Sequence, residues 1–184
     1  EPGTIIKFNL DKKSINEYIY WNLTNKSQII NNKSLEEEKK NLKKILNESI
    51  EKTFLSSEVD VGILLSSGID SNVIMDLLIN KNLLNKTKIF TAKNNIKKLD
   101  ESLLVNELIN RYNNAKINKK ISKPITAIAN NSNNLEIIKK LSYHYDEPIP
   151  FLMSPLIYKL CKKASLKNIK VLLSGEGSDE LFFG

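Results

Sequence analysis

Two alternating apolar segments open the chain. "GTIIKFNL" at residues 3–10 and "INEYIYW" at residues 15–21 read as short extended strands, with "DKKS" between them as the turn. The polar stretch "TNKSQIINNKS" that follows reads as a linker. The period then lengthens: Leu42, Ile45, Leu46, Ile50 and Phe54 fall close to one face of a helix. Ser34 and Glu37 stand just ahead of that stripe in a capping-box pattern, in which each side chain satisfies a backbone N–H at the helix start.

Beyond this helix the chain alternates between two kinds of segment. Residues 59–65 are apolar apart from Asp60 and Gly62, which suits a strand covered on both faces. Further strands are predicted at residues 88–92, 116–121 and 170–173. Helical patterns lie between them. One begins at residues 72–78, and Val105, Leu108, Ile109 and Tyr112 mark the next. Leu135, Ile138, Leu141 and Tyr145 mark a third. Ile157, Leu160, Cys161 and Ala164 mark a fourth and predict a core thiol at Cys161. This alternation predicts an α/β fold, an open and mostly parallel sheet with flanking helices and right-handed crossovers. The predicted division is residues 1–33 as hairpin and linker and residues 34–184 as the α/β part. The polar run "NNSNN" at residues 130–134 is too short to count as a disordered tract.

Composition alters this picture little. With 184 residues the chain fits one domain and can bury a sizeable core. No uninterrupted apolar run is long enough to span a bilayer, and no signal peptide opens the chain, so a cytoplasmic protein without membrane contact is expected. A start without Met and an end in "DELFFG" read as a fragment of something longer. The net charge of +7 raises the question of a polyanionic partner. The lysines are scattered, however, and no dense basic stripe interleaves with aromatics, so a nucleic-acid partner is not expected. The single cysteine excludes an internal disulfide and offers no metal cluster. The lone His144 has no catalytic or metal-binding partner in sequence and reads as structural or surface.

The candidate chemistry lies at two strand ends. In "LLSSGIDS", residues 64–71, an apolar strand breaks into small and hydroxylated residues ahead of a helix. Ligands of open α/β sheets bind at such carboxyl ends, where unpaired N–H groups and the helix dipole favour an oxyanion. Ser66, Ser67 and Ser71 add hydroxyl donors, and Gly68 lets a ligand approach the backbone. Asp70 would repel a phosphate unless a divalent cation such as Mg²⁺ bridges them. A plain strand–helix turn with Asp and Ser in capping roles explains the same residues. In "VLLSGEGSDELFFG", residues 171–184, the grammar repeats: a strand, a tight loop at Ser174, Gly175 and Gly177, then Glu176, Asp179 and Glu180 crowded together. Crowded acids repel unless cations or protons intervene, so a metal site is the economical explanation, with a solvated acidic turn as the alternative.

The two signatures resemble a known family. "SSGIDS" is similar to the S-G-G-x-D-S pyrophosphate loop of N-type ATP pyrophosphatases, and "LSGEGSDELF" to the second signature of glutamine-hydrolysing asparagine synthetases. "KIFTA", "DES" at residues 100–102 and "YDEPIPFLMSPLIYKLCKKA" resemble the intervening family segments. "EPGTIIKF" and "YIYW" resemble the closing hairpin of a glutaminase domain and its linker. The resemblance implies that Ser66, Ser67, Gly68, Asp70 and Ser71 contact pyrophosphate and that Asp70 and Asp179 hold Mg²⁺. It implies that Leu65, Ala92, Ser174 and Gly175 line the ATP site and that Glu176 is the acidic residue of the adenylate-forming step. The implied substrates are ATP, aspartate and ammonia from glutamine, released by a glutaminase domain upstream in the same full-length chain. A homodimer is left open. Relatives acting on other carboxylates, lactam synthetases among them, remain alternatives, as do an RNA-thiolating relative and a non-catalytic fragment. Three positions depart from the pattern: Ser67 replaces the first glycine of the usual pair, Asp60 a frequent proline and Phe183 a glycine. The family's adenylation-site lysine would lie beyond Gly184, which implies that this fragment alone is incomplete. The glutaminase nucleophile is an amino-terminal cysteine. Residue 1 is Glu, and Cys161 cannot take that role.

Overall fold

Antiparallel pairing of Thr4–Asn9 (β1) with Ser14–Ile19 (β2) opens the computed structural model. The structure describes residues 1–22, 34–55, 57, 59–115, 120–129, 134–149, 151 and 153–182. Residues 24–33 of the expected linker, most of "NNSNN" and Phe183 lie outside the described residues. The chain divides into two units, Glu1–Lys43 and Lys44–Gly184. In the first unit the pairing of Phe8 with Ile15 fixes the hairpin register. Strand periodicity then puts Ile6, Phe8, Ile15 and Ile19 on one face. Gly3, at φ +68°, closes against the Trp21 backbone, where a Cβ would meet the Trp21 carbonyl oxygen at 2.2 Å.

Helix Leu35–Leu55 (α1) begins at the expected capping box. The Ser34 N–H donates to Glu37 Oε2 at 2.9 Å, and the Glu37 N–H donates back to Ser34 Oγ at 3.3 Å. Three glutamates in its first turn and Lys52 in its last complement the helix dipole.

The second unit is built on a four-stranded parallel sheet. Its strands are Val61–Leu64 (β3), Thr87–Lys93 (β4), Ile125–Ile128 (β5) and Val171–Leu173 (β6), in the order β5-β4-β3-β6. Helices Ile69–Asn80 (α2), Ser102–Asn114 (α3), Asn134–Tyr145 (α4) and Ser154–Ser165 (α5) connect them, and a short helix Ser178–Phe182 (α6) follows β6. The α/β class with a separate N-terminal hairpin is as the alternation predicts. Side chains leave the sheet alternately. Ile63 and Ile89 join Met75, Leu78, Val105 and Ile109 in one core beneath α2 and α3, with Ile50 of α1. Phe90 and Ala127 join Leu156, Leu160, Ala164 and Ile169 in a second core beneath α5. Gly62 in the central strand makes room for the second core: a Cβ there would meet Leu172 Cδ2 at 2.6 Å and Phe90 Cε2 at 2.8 Å.

Two expectations are corrected. Cys161 is exposed, not a core residue. The buried seam of α5 runs through Leu156, Leu160 and Ala164. Cys161 stands one residue past that seam and is therefore rotated off it by about 100°. The strand expected at residues 116–121 is not observed where it can be described. Residues 116–119 lie outside the described residues, and Ile121 is not in a strand. Its backbone pairs instead with a side-chain amide: the Ile121 N–H donates to Asn113 Oδ1 at 2.6 Å, and Asn113 Nδ2 donates to the Ile121 carbonyl at 3.1 Å. The strand is Ile125–Ile128. Because Ile121 is buried, Asn113→Ala leaves two backbone groups without partners. It is expected to lower stability by about 1–3 kcal/mol, read by denaturant titration.

Candidate active site

The strand order determines where a site can form. β3, β4 and β5 progress one way across the sheet, and β6 returns to the other side of β3. The carboxyl ends of β3 and β6 therefore flank the point where the strand order reverses, the usual ligand position in such sheets. Both candidate loops emerge there.

The first loop is tied together by its own serines. Ser71 is buried, and its Oγ accepts from the Ser66 N–H at 3.1 Å and lies 3.0 Å from the Ser66 hydroxyl. Its Oγ also lies 3.2 Å from the carbonyls of Ser66 and Gly68. The Gly68 N–H donates to Ser66 Oγ at 3.2 Å, and Asn72 Nδ2 donates to the Gly68 carbonyl at 2.6 Å. Among the described residues, no acceptor pairs with the N–H groups of Ile69, Asp70 or Ser71 in the first turn of α2. The hydroxyls of Ser66 and Ser71 thus hold the shape of the loop, and backbone donors are left at the helix start. Gly68 has φ −71° and ψ 154°, a conformation open to any residue. Ser67 is not among the residues at positive φ, so serine in place of glycine is unstrained there.

The second loop lies against the first. A Cβ on Gly175 would meet Asp70 Cβ at 2.8 Å and the Ser71 backbone nitrogen at 3.0 Å. Gly177 turns the loop at φ +92°, and the Ser178 hydroxyl donates to the Gly175 carbonyl at 2.8 Å.

Between the loops is a cleft of about 320 Å³. Leu65, Ser66, Gly68, Asp70, Ser71, Ala92, Ser174, Gly175, Glu176 and Asp179 all line it; Ser67 does not. Phe90, Met153, Leu156, Ile157 and Leu160 supply an apolar wall that the sequence reading did not include. Its signal was present in the helical stripe of α5. The acidic segment is less convergent than its spacing suggests. Glu176 and Asp179 face the cleft, Glu180 does not line it, and among the described residues no three His, Cys, Asp or Glu side chains could hold a metal ion. Two carboxylates, Asp70 and Asp179, still fit Mg²⁺ that arrives with phosphate oxygens, because Mg²⁺ is commonly bound through one or two carboxylates plus substrate phosphates.

A family sequence model described as asparagine synthase matches residues 41–184, a span that contains the whole sheet and both loops. The chain belongs to the asparagine synthase family. A Methanocaldococcus jannaschii protein provisionally named asparagine synthetase 2, glutamine-hydrolysing, is 30% identical over 178 residues, which is 96% of this chain and 32% of that protein. The chain thus spans about a third of the length of the curated relative it matches.

Within this asparagine synthase-family domain a second cavity of about 360 Å³ adjoins the cleft. It shares Ser66, Ala92, Met153 and Leu156 with the cleft and adds Lys93, Asn94, Leu99 and Glu101. The "DES" segment shapes its rim. Asp100 Oδ1 accepts the N–H groups of Asn94 at 3.2 Å and Ser102 at 3.1 Å, holding the turn into α3. The Ser102 side chain and these backbone donors keep the Asp100 carboxyl below its ordinary pKa of 3.8, against a smaller desolvation effect. Glu101 reaches the first loop, where both the N–H and the hydroxyl of Ser67 donate to its Oε2, at 3.2 and 3.0 Å. Elsewhere, His144 is exposed beside Tyr143, as expected of a surface residue. Lys159 Nζ donates to the carbonyls of Ile128 and Ala129 and fastens α5 to the end of β5; burial pushes its pKa down. No helix among the described residues is long and apolar enough to cross a membrane.

Proposed function

We propose that this chain is the nucleotide-binding part of an ATP-dependent amide-forming ligase whose acceptor is aspartate. The observation that carries the reading is a cleft lined by residues of both strand-end loops together with an apolar wall. The apolar wall of Phe90, Leu156, Ile157 and Leu160 suits a purine ring, with Leu65, Ala92, Ser174 and Gly175 around the nucleoside. The free N–H groups at the start of α2 suit the β- and γ-phosphates. Asp70 and Asp179 would hold the Mg²⁺ that accompanies ATP, and the ion would offset negative charge on the phosphates.

In the reaction proposed, a side-chain carboxylate oxygen of aspartate attacks the α-phosphorus. The bond from that phosphorus to the bridging oxygen breaks, and pyrophosphate leaves with the electron pair. Ammonia then attacks the acyl carbon of the β-aspartyl-AMP, the carbon–oxygen bond to AMP breaks, and the nitrogen loses a proton to give asparagine. The chain's contribution to the first step is chiefly positioning, with the leaving group gripped by residues 66–71. The N-terminal hairpin belongs, in this reading, to an upstream glutaminase domain that supplies ammonia from glutamine.

The test is ATP–pyrophosphate exchange by the intact protein in the presence of candidate acids. Exchange that depends on aspartate is expected. Exchange with another carboxylic acid and none with aspartate reassigns the acceptor, and no exchange with any acid overturns the reading.

A further inference from the structure

The first loop already holds a carboxylate, one supplied by the protein. Glu101 lies 34 residues from Ser67 in sequence, yet its Oε2 accepts from both the N–H and the hydroxyl of Ser67. The neighbouring N–H groups of Ser66 and Gly68 are taken by serine hydroxyl oxygens within the loop. Ser67 is therefore the one donor position of residues 66–68 whose acceptor comes from outside the loop. We propose that Glu101 is a gate on the phosphate loop: its carboxylate clasps Ser67 in the ligand-free protein and must leave before a phosphate can take that backbone donor. The proposal rests on the reading of residues 66–71 as a phosphate site.

Three observations converge on it. Asp100 pins the turn through Asn94 and Ser102, so the residue that follows is aimed at the loop by a fixed base. Ser67 replaces a glycine of the resembled pattern, and a glycine would offer the N–H alone; the hydroxyl doubles the grip on Glu101. Glu101 and Ser67 are both exposed, so the contact is open to water and its strength is modest. Ser67 does not line the cleft while Glu101 holds it; a phosphate reaching its N–H from the cleft competes with the carboxylate for the same donor, and the two anions repel. The gate thus lowers affinity for phosphate groups. It also links the filling of the loop to the release of Glu101, which lines the adjoining cavity.

The test uses the intact protein with inorganic pyrophosphate and Mg²⁺ as the probe, read by calorimetry. Glu101→Gln and Ser67→Gly are each expected to bind pyrophosphate about fivefold more tightly than the parent. The double variant is expected to gain little more than either single change, because both release the same contact. Hydrogen–deuterium exchange over residues 64–72 gives a readout that does not depend on ligand. Without pyrophosphate, Glu101→Gln is expected to exchange faster there than the parent. Unchanged exchange overturns the clasp itself. Unchanged or weaker pyrophosphate binding in both variants, with faster exchange, overturns the gate and makes Glu101 a support of the loop. Absence of pyrophosphate binding by the parent and all variants overturns the phosphate-site reading and the gate with it, whatever the exchange shows.

Discussion

Gly175→Val is expected to reduce aspartate-dependent ATP–pyrophosphate exchange by about a hundredfold or more in a protein that still folds. The reason is the distance between the two loops. A Cβ at position 175 would sit 2.8 Å from Asp70 Cβ, 3.0 Å from the Ser71 nitrogen and 3.2 Å from the Asp70 carbonyl carbon. Two of these atoms are backbone and the third is fixed to it, so no side-chain rotation relieves the contact. The first turn of α2 or the loop after β6 must move, and the cleft exists only because they meet. Overpacking of this kind costs about 1–3 kcal/mol. The core beneath the sheet does not include residue 175, so the midpoint of unfolding should fall modestly. Gly68→Ala is the control for small residues in general. Its backbone conformation is ordinary, and its new Cβ would meet only Ser66 Oγ at 3.3 Å, a side-chain atom that needs to give by a few tenths of an ångström rather than backbone. Exchange by Gly175→Val close to the parent rate would mean that the contact between the loops is not needed for the chemistry.

The same contact marks the limit of what the sequence makes legible. Each loop is visible alone, because a run of buried strand residues ends in serines, glycines and acids whose local chemistry is specific. Leu65 and Ser174 are identifiable as strand-end positions from the runs before them. That the loops face each other is a property of strand order: β6 lies beside β3 through pairs such as Gly62 with Leu172, far apart along the chain. Helix faces were legible to within about one position. In α5 the periodicity marks the stripe but places Cys161 on it. A seam spaced by four residues and one shifted by a single position differ by one helical step. Near residue 121 apolar character alone was misleading. Ile121 is buried like a strand residue, but its backbone is paired by the side chain of Asn113, and no periodicity encodes that bond. Ile125–Ile128 is an edge strand with one buried side chain, so its pattern is weak. The clasp of Glu101 on Ser67 was illegible for the same reason as the cleft: it joins segments that only the fold brings together.

Glu176→Gln is expected to change sign with the metal. Asp70, Glu176 and Asp179 line the cleft, and among the described residues no Lys or Arg does. A cleft of that composition repels a free triphosphate and accepts one whose charge is already offset. With excess Mg²⁺, removal of the Glu176 charge should lower aspartate-dependent exchange by about two orders of magnitude or more, the size typical of losing a charged group that acts in the reaction. With chelator in place of Mg²⁺, the same substitution should strengthen the weak binding of ATP by about tenfold, since one like charge has been taken from the wall. Asp70→Asn should behave differently: if Asp70 is an ion ligand, its loss raises the Mg²⁺ concentration needed for half-maximal exchange. Glu176→Gln should leave that requirement near the parent value. Measuring ATP binding with and without Mg²⁺, beside a Mg²⁺ titration of exchange, separates these roles. If Glu176→Gln weakened ATP binding under both conditions, the residue would be a structural part of the loop, and the acidic step would have to be assigned to another carboxylate.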